Sequence, residues 1–484
     1  MPPFLLNAPR RLDSPIEMLR PGCCCRLLLF RLLACCTVAT AAAQAQDPCA
    51  GRRIHVRRLP ARFNTELLRH CATAFPLADP GSTPACASLA NHGLGPRTHN
   101  GSRSWYRTDA RLLEPFFHRR VLELPCLVSR PARADAVFVP YYAALDALPY
   151  ALDPALLNSS ALHGLPLARF LARHQPRVLA RRHGHDHFFI LAGPAWGFSQ
   201  DLQHVPHGGA AEDGDQQPGR MYGTTSLLRL PELRNFTILT LESRAWPWQE
   251  HAVPHPTSFH PASLPRLRAW LARARRSRRT ALMLYAGGVS KPSRPNIRGA
   301  ILAECANRTA SCIVVDCSAG ACALDPGVYM RPMLRARFCL EPPGDTPSRR
   351  NTFDAIVAGC VPVFFEHDAA RLQYGWHLPP GGYDQFSVTI PKESVVMGGV
   401  RIADVLAAVP EAQVARMRAR LLEMAPRVLY RRHGSTPELK EASKDAVDLA
   451  VEGALRRIRN RVRALDGGDP DAIYSLEDDV VDMV

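Results

Sequence analysis

Arg337–Phe365, RFCLEPPGDTPSRRNTFDAIVAGCVPVFF, constrains the fold more than any other stretch. Two short apolar runs, Arg337–Leu340 and Val361–Phe365, flank an amphipathic helix over Arg349–Ala358 that stops at Gly359. Strand, helix and strand at this spacing make a βαβ unit of a parallel sheet. Such sheets place ligands where strand ends meet helix starts. That junction holds Glu341, Gly344, Asp345, Thr346, Ser348, Arg349, Arg350 and Asp354. Planar guanidinium groups grip phosphate oxygens in pairs, so Arg349 and Arg350 are expected to clamp a diphosphate. One of them is also open to an ion pair with Glu341 or Asp345. Ser348 is placed to cap the helix or to donate to phosphate. Asp354, on the following turn, suits ribose hydroxyls.

The alternation continues on both sides. Upstream of the unit the pattern gives strand Ala281–Ala286, helix Asn296–Ala306, strand Ile313–Asp316 and helix Gly327–Ala336. Downstream come strand Phe386–Ile390 and helices over Ile402–Val409, Glu411–Met424 and Pro437–Arg463. Nearer the N-terminus, strands at Arg53–Val56, Ala136–Val139, Phe188–Ala192 and Phe236–Leu241 are joined by helices including Leu112–Leu122 and Leu165–Leu179, the second bent at Pro176. This is an α/β pattern. The arginine-rich helix Leu264–Arg276 reads as a hinge between domains over 47–275 and 280–465, with an acidic tail over 466–484. After the strand Ala281–Ala286, Gly287 and Gly288 allow close backbone approach. Arg298 lies in the first turn of the next helix, where the dipole also favours an anion. Neither GxxxxGK[ST] nor GxGxxG is present, which argues against a P-loop ATPase and a dinucleotide-binding dehydrogenase.

Net charge is +16, almost all from arginine, since lysine occurs only at 291, 392, 440 and 444. No helix-turn-helix, zinc-finger or RNA-motif pattern accompanies it, so no nucleic-acid partner is expected. Of 15 cysteines, ten follow residue 40, none in a CxxC pair. An even set suggests disulfides in an oxidising compartment, with Cys71 and Cys86 pinning the loop over 72–104. Sequons at Asn100, Asn158, Asn235 and Asn307 fit that compartment. Arg26–Ala43, RLLLFRLLACCTVATAAA, is apolar over roughly 18 residues and follows basic residues. It reads as a cleaved signal peptide or as a signal anchor behind a cytosolic tail over 1–25.

Two other clusters have suggestive residue types. Asp213-Gly214-Asp215 resembles a DxD metal motif but sits in a Gly/Gln-rich insertion, not at a strand end. His183-Gly-His185-Asp186-His187 has metal-ligand types but no remote further ligand, so no metal site is expected. Asp186 and His187, entering a first-half strand, are expected as the acid/base or acceptor contact.

FCLEPPGDTPSRRNTFDAIVAGCVPVFF resembles the signature of exostosin-like plant glycosyltransferases, particularly the xyloglucan galactosyltransferase branch. The resemblance extends in order through CAGRRIHVRRLPARFN (49–64), NHGLGP (91–96), ADAVFVPYYAALD (134–146), DHFFILAG (186–193), AVPHPTSFHP (252–261), RPNIRGAILAEC (294–305) and YGWHLP (374–379). It implies a GT-B fold, with two Rossmann-like domains facing a cleft and the sugar nucleotide on the second. It implies a single-pass type II Golgi membrane protein with 26–43 as the anchor, its catalytic domain lumenal, in complexes with other Golgi glycosyltransferases. It implies inverting, metal-independent transfer of β-galactose from UDP-galactose to xylose side chains of a xyloglucan-type acceptor, with no cofactor. UDP-galacturonic acid or UDP-arabinose as donor, or a non-catalytic glycan-binding or scaffold role, are the alternatives. Gly287, Gly288, Arg298, Glu341, Gly344, Ser348, Arg349, Arg350 and Asp354 form the expected donor site. One departure stands out: Trp196-Gly197-Phe198 replaces the family's usual Trp-Asp-Phe.

Overall fold

Among the described residues, ten strands form two five-stranded sheets, and every pairing within them is parallel. The computed structural model describes residues 47–74, 89–98, 104–152, 162–200, 225–244, 249–289, 295–318, 322, 325–344, 346–366, 369, 373–379 and 381–473. The tail and apolar segment over 1–43, Asn100, Asn158, the 207–220 insertion with Asp213 and Asp215, Asp345, the Cys71–Cys86 pairing and residues beyond 473 lie outside that description. No helix among the described residues is long and apolar enough to cross a membrane.

The first sheet runs β1 (Ile54–Val56), β2 (Ala136–Phe138), β3 (His187–Pro194), β4 (Thr237–Glu242) and β5 (Glu250–Ala252), in that spatial order. The second comprises β6 (Ala281–Gly287), β7 (Cys312–Asp316), β8 (Ala336–Glu341), β9 (Val361–Phe364) and β10 (Val388–Thr389), ordered β10-β9-β8-β6-β7. Strand order therefore reverses between β6 and β8 in the second sheet, which creates a switch point where a crevice opens beyond the strand ends. The first sheet has no such reversal among the described residues, so only the second carries this Rossmann-type feature. Central strands are buried on both faces, as their near-continuous Val/Ile/Leu/Phe content requires.

The βαβ unit forms as its pattern predicts. Its helix is Arg350–Ala358, and Gly359 ends it at φ 63°. That left-handed conformation is cheap only for glycine. A Cys339–Cys360 disulfide staples β8 to the start of β9, alongside Cys49–Cys126, Cys305–Cys312 and Cys317–Cys322.

Several expectations are corrected. Leu165–Leu179 is two helices, Leu165–Arg173 and Pro176–Ala180, because Gln175 takes φ 55° before the proline. The expected closing helix is also divided, into Pro437–Ala442 and Ala446–Gly467. Asp445 starts the second through a reciprocal capping box with Asp448. The arginine-rich helix Leu264–Arg276 is no free hinge. Its Leu267, Trp270 and Ala274 join the second-sheet core, and Trp270 Nε1 donates to Val357 O at 2.9 Å.

The 280–465 boundary does not follow the packing either. Ala446–Gly467 returns to the first-sheet core, and Arg457 donates to Glu250 O at 3.1 Å. The buried Arg120 guanidinium also reaches Asp445, at 2.6 Å. Contacts of this kind leave the described residues from Pro48 onward as one compact unit. Among the sequons, Asn307 is exposed at a helix end. Asn235 donates to His183 O at 2.8 Å, and its Thr237 is fully buried in β4.

Candidate donor and acceptor site

Parallel strands point all their carboxyl ends the same way, and here the two carboxyl edges meet. Glu242 ends β4 and accepts from Ser348 N at 2.9 Å and from the Ser348 hydroxyl. Ser243 N donates to Gln373 Oε1 at 2.8 Å, and Tyr374 OH to Leu241 O at 3.0 Å. Ser348 is thus a tie between the two edges and not the helix cap; the cap position is Arg349, whose side chain makes no capping bond.

Gly344 explains how the basic groups converge. A Cβ there would lie 1.5 Å from an Arg349 Nη and 2.3 Å from an Arg298 Nη. Only glycine lets both guanidinium groups occupy that space. Arg349 donates to Ser348 O at 2.9 Å and to Thr346 Oγ1 at 3.1 Å, while Arg298 Nε donates to Pro343 O at 3.1 Å. Arg298 lies in the first turn of Ile297–Asn307, capped by Asn296 Oδ1, which accepts from Gly299 N at 2.9 Å. Two guanidinium groups and a helix start therefore face one spot beyond β6 and β8.

That spot opens into a cavity of about 530 Å³ lined by Arg298, Pro343, Gly344, Glu366, Lys392 and Met397, among others. Glu366 and Lys392 form an ion pair at its far rim. Neither was foreseen from sequence. Glu366 follows β9 directly, so the strand-end rule applied one strand further would have found it.

Arg350 does not join Arg349 and Arg298 over Gly344, unlike the expected two-arginine clamp. Its guanidinium donates to Thr108 O at 2.6 Å, to Ser258 Oγ at 2.5 Å and to Tyr329 OH at 3.1 Å. Its Nε lies 3.4 Å from Asp354 Oδ2. Arg350 joins the loops of the first half to the second sheet. Asp354 is 1% exposed, so a ribose hydroxyl has no access to it. Burial pushes its carboxyl up to about 6, opposed by Arg350 and Tyr329. Glu341 is buried beside it; burial and the Asp354 charge hold its carboxyl well above the usual range. Gly287 is crowded by the Tyr285 hydroxyl, 2.6 Å from a would-be Cβ, and Gly288 O accepts from that hydroxyl at 2.9 Å. These glycines accommodate the chain's own tyrosine.

His255, beyond β5, faces the same junction with Nε2 3.4 Å from Ser348 Oγ. Burial, then the Arg349 and Arg350 charges, push it down to about 3, so it is neutral. Sequence reasoning missed His255 and Glu242, although both follow the strand-end rule in the first sheet.

Asp186 and His187 lie at the opposite end. They enter β3 at its amino end, whereas the junction lies beyond its carboxyl end. Both are fully buried; Asp186 pairs with Arg181 and with His187 Nδ1 at 2.7 Å, and His187 stacks on Phe236. Their role is to anchor the sheet's base. Where catalysis was expected of them, strand direction and burial set them apart from the junction of Glu242 and Ser348. No group of three His, Cys, Asp or Glu among the described residues could hold a metal ion.

The second parallel sheet thus carries a basic cavity at its switch point, beside the junction with the first sheet, of a kind suited to an anionic ligand. Residues 48–406 match the Exostosin GT47 domain, and the chain belongs to that family. It is 54% identical over 420 residues, 86% of this chain and 92% of the relative, to the probable xyloglucan galactosyltransferase GT19 of Arabidopsis thaliana. It is 31% identical over 438 residues to the xyloglucan galactosyltransferase MUR3 of the same plant, covering 89% of this chain and 66% of the relative. To that plant's xyloglucan-specific galacturonosyltransferase 1 it is 28% identical over 416 residues, covering 86% and 58%.

Proposed function

We propose that this chain is an inverting glycosyltransferase of GT-B architecture that transfers galactose from UDP-galactose to xylose side chains of xyloglucan. The observation that carries the donor half is the convergence of Arg298 and Arg349 over Gly344 at the switch point. Guanidinium groups there would neutralise the departing diphosphate, the place where charge develops in the transition state. The nucleoside would occupy the cavity beyond Gly344, between Pro343 and Met397, with Glu366 and Lys392 at its rim. The acceptor would enter from the first-sheet edge, where a base takes the proton of the attacking hydroxyl. Family membership and the 54% identity to a probable xyloglucan galactosyltransferase support the substrate class.

A galacturonosyl donor is the second reading. Arg298 and Lys392 line the cavity, and an acidic sugar would suit them. A relative named for galacturonosyl transfer supports it. Transfer without a metal cofactor is part of the proposal, because arginines occupy the place where diphosphate charge would be met; activity should persist in chelator. So is a lumenal Golgi position behind an anchor over 26–43, which the four described disulfides favour. The exposed Asn307 sequon would then be glycosylated.

The test is a donor panel of UDP-galactose, UDP-galacturonic acid and UDP-arabinose with xyloglucan oligosaccharides, followed by linkage analysis. Galactose in β-linkage to xylose is the expected product. Absence of UDP binding together with absence of transfer from every donor would overturn the reading.

A further inference from the structure

The acceptor wall needs a base, and its carboxylates can be compared one by one. Glu114 is fully buried, with Oε1 accepting from Ala144 N at 2.8 Å and Ala192 N at 3.0 Å. Glu242 is 3% exposed and holds Ser348. Asp109 is held by both guanidinium arms of Arg111, which keep its carboxyl below the usual range against burial. None of these can both meet a sugar hydroxyl and accept its proton readily.

Asp146 differs. It lies in the first turn of the helix Ala143–Leu152, which follows β2 at the sheet's carboxyl edge. Its side chain is 31% exposed. Tyr141 OH donates to Asp146 Oδ2 at 2.5 Å. His163 Nε2 lies 3.0 Å from Tyr141 O, and His163 Nδ1 lies 3.0 Å from Thr225 Oγ1. The chain orders itself: Thr225 donates to Nδ1, Nε2–H donates to the tyrosine oxygen, and the tyrosine donates to the carboxylate. Burial pushes His163 down to about 3, so it carries no charge. The network therefore holds one carboxyl group at its end in a fixed orientation; burial raises its proton affinity above the usual carboxylate range, and the Tyr141 hydrogen bond opposes that shift. Glu114, Tyr141, Tyr150 and His163 are the titratable groups around it. β2 stands two strands from β4, about 10 Å across the sheet, within one sugar unit or two of the Glu242–Ser348 junction.

We propose that Asp146 is the general base that activates the acceptor hydroxyl, held in place by Tyr141 and His163. This rests on the glycosyltransferase reading above. The acceptor oxygen forms a bond to the anomeric carbon while the bond from that carbon to the β-phosphate oxygen breaks. The electron pair of that bond leaves with UDP. The hydroxyl proton passes to Asp146 and then to solvent. Tyr141 acts as a positioning residue.

Asp146→Asn should lower kcat by about 100-fold or more while the UDP dissociation constant and melting temperature stay near wild type. Formate should restore part of the activity in Asp146→Gly, by supplying a carboxylate in the space left. Tyr141→Phe should keep most of kcat but move the acid limb of the kcat/KM profile to higher pH, because the lost hydrogen bond favoured the ionised carboxylate. Near-normal kcat in Asp146→Asn would overturn the assignment. So would an unmoved acid limb in Tyr141→Phe, which remains readable if Asp146 variants fail to fold. A wild-type chain that neither binds UDP nor transfers any sugar would instead overturn the glycosyltransferase reading.

Discussion

The second sheet ends in half-exposed arginines, Arg298 and Arg349, gathered over a glycine. The first ends in buried groups whose charge states burial has changed: Glu114 is pushed up to about 8 and His163 down to about 3. One wall gathers fixed cations; the other holds carboxyl and imidazole groups whose burial favours their neutral forms. A diphosphate brings its own charge and rewards fixed cations. A sugar hydroxyl offers little charge before reaction, so one oriented carboxylate among neutral partners serves it better.

The largest expected effect tests the residue common to both walls. Arg350→Ala should destabilise the protein by about 3–5 kcal/mol, because the buried Asp354 carboxyl loses its cationic partner. UDP affinity of the protein that remains folded should change little. A large loss of UDP affinity with unchanged melting would return Arg350 to the diphosphate and blur the two-wall division. Next, the Cys339→Ser, Cys360→Ser double variant should cost about 2–4 kcal/mol in chemical denaturation, since it frees the ends of the donor βαβ unit. An equal melting profile would show that packing alone holds that wall.

Arg349→Ala should weaken UDP binding by about 1.5–3 kcal/mol, read by calorimetry, because one charge-assisted contact is lost. Unchanged binding would remove Arg349 from the donor wall. The smallest effect concerns the acceptor wall. Glu114 has a folded-state pKa raised to about 8 from 4.5, so its stabilising contribution is complete below about pH 4.5 and declines as pH rises towards 8. Glu114→Gln does not titrate there. It should therefore become progressively more stable than wild type across that window, with no growing gap below about pH 4.5. A gap that stays constant with pH would mean that Glu114 is ionised in the folded protein.

The basic edge of the second sheet was readable because its signals are local. Phosphate-binding residue types, a helix start and a strand end fall within one short stretch, and spacing alone places them at one edge of a parallel sheet. The same logic failed for Asp186 and His187. Their residue types are suggestive, but they precede β3 and lie at its amino end. Attention to strand direction would have moved the search to Glu242 and the region after β5, where His255 lies.

Other parts were not legible for a different reason. Arg349 and Arg350 are neighbours of identical type, yet one lies over Gly344 beside Arg298 and the other binds Thr108 and Ser258, far away in sequence. The return of Ala446–Gly467 to the first sheet likewise depends on long-range partners such as Glu250 and Thr237. The Asp146 network draws Tyr141, His163 and Thr225 from three segments.

By itself, the sequence determined the α/β class, the βαβ unit with its Gly359 stop and the basic character of the donor edge, all of which follow from short-range periodicity and backbone stereochemistry. Tertiary structure alone decided which partners each arginine meets, which carboxyls burial shifts and which end of each strand faces the other sheet. Those depend on burial and on contacts between distant segments, and desolvation changes the charge of a side chain without changing the residue.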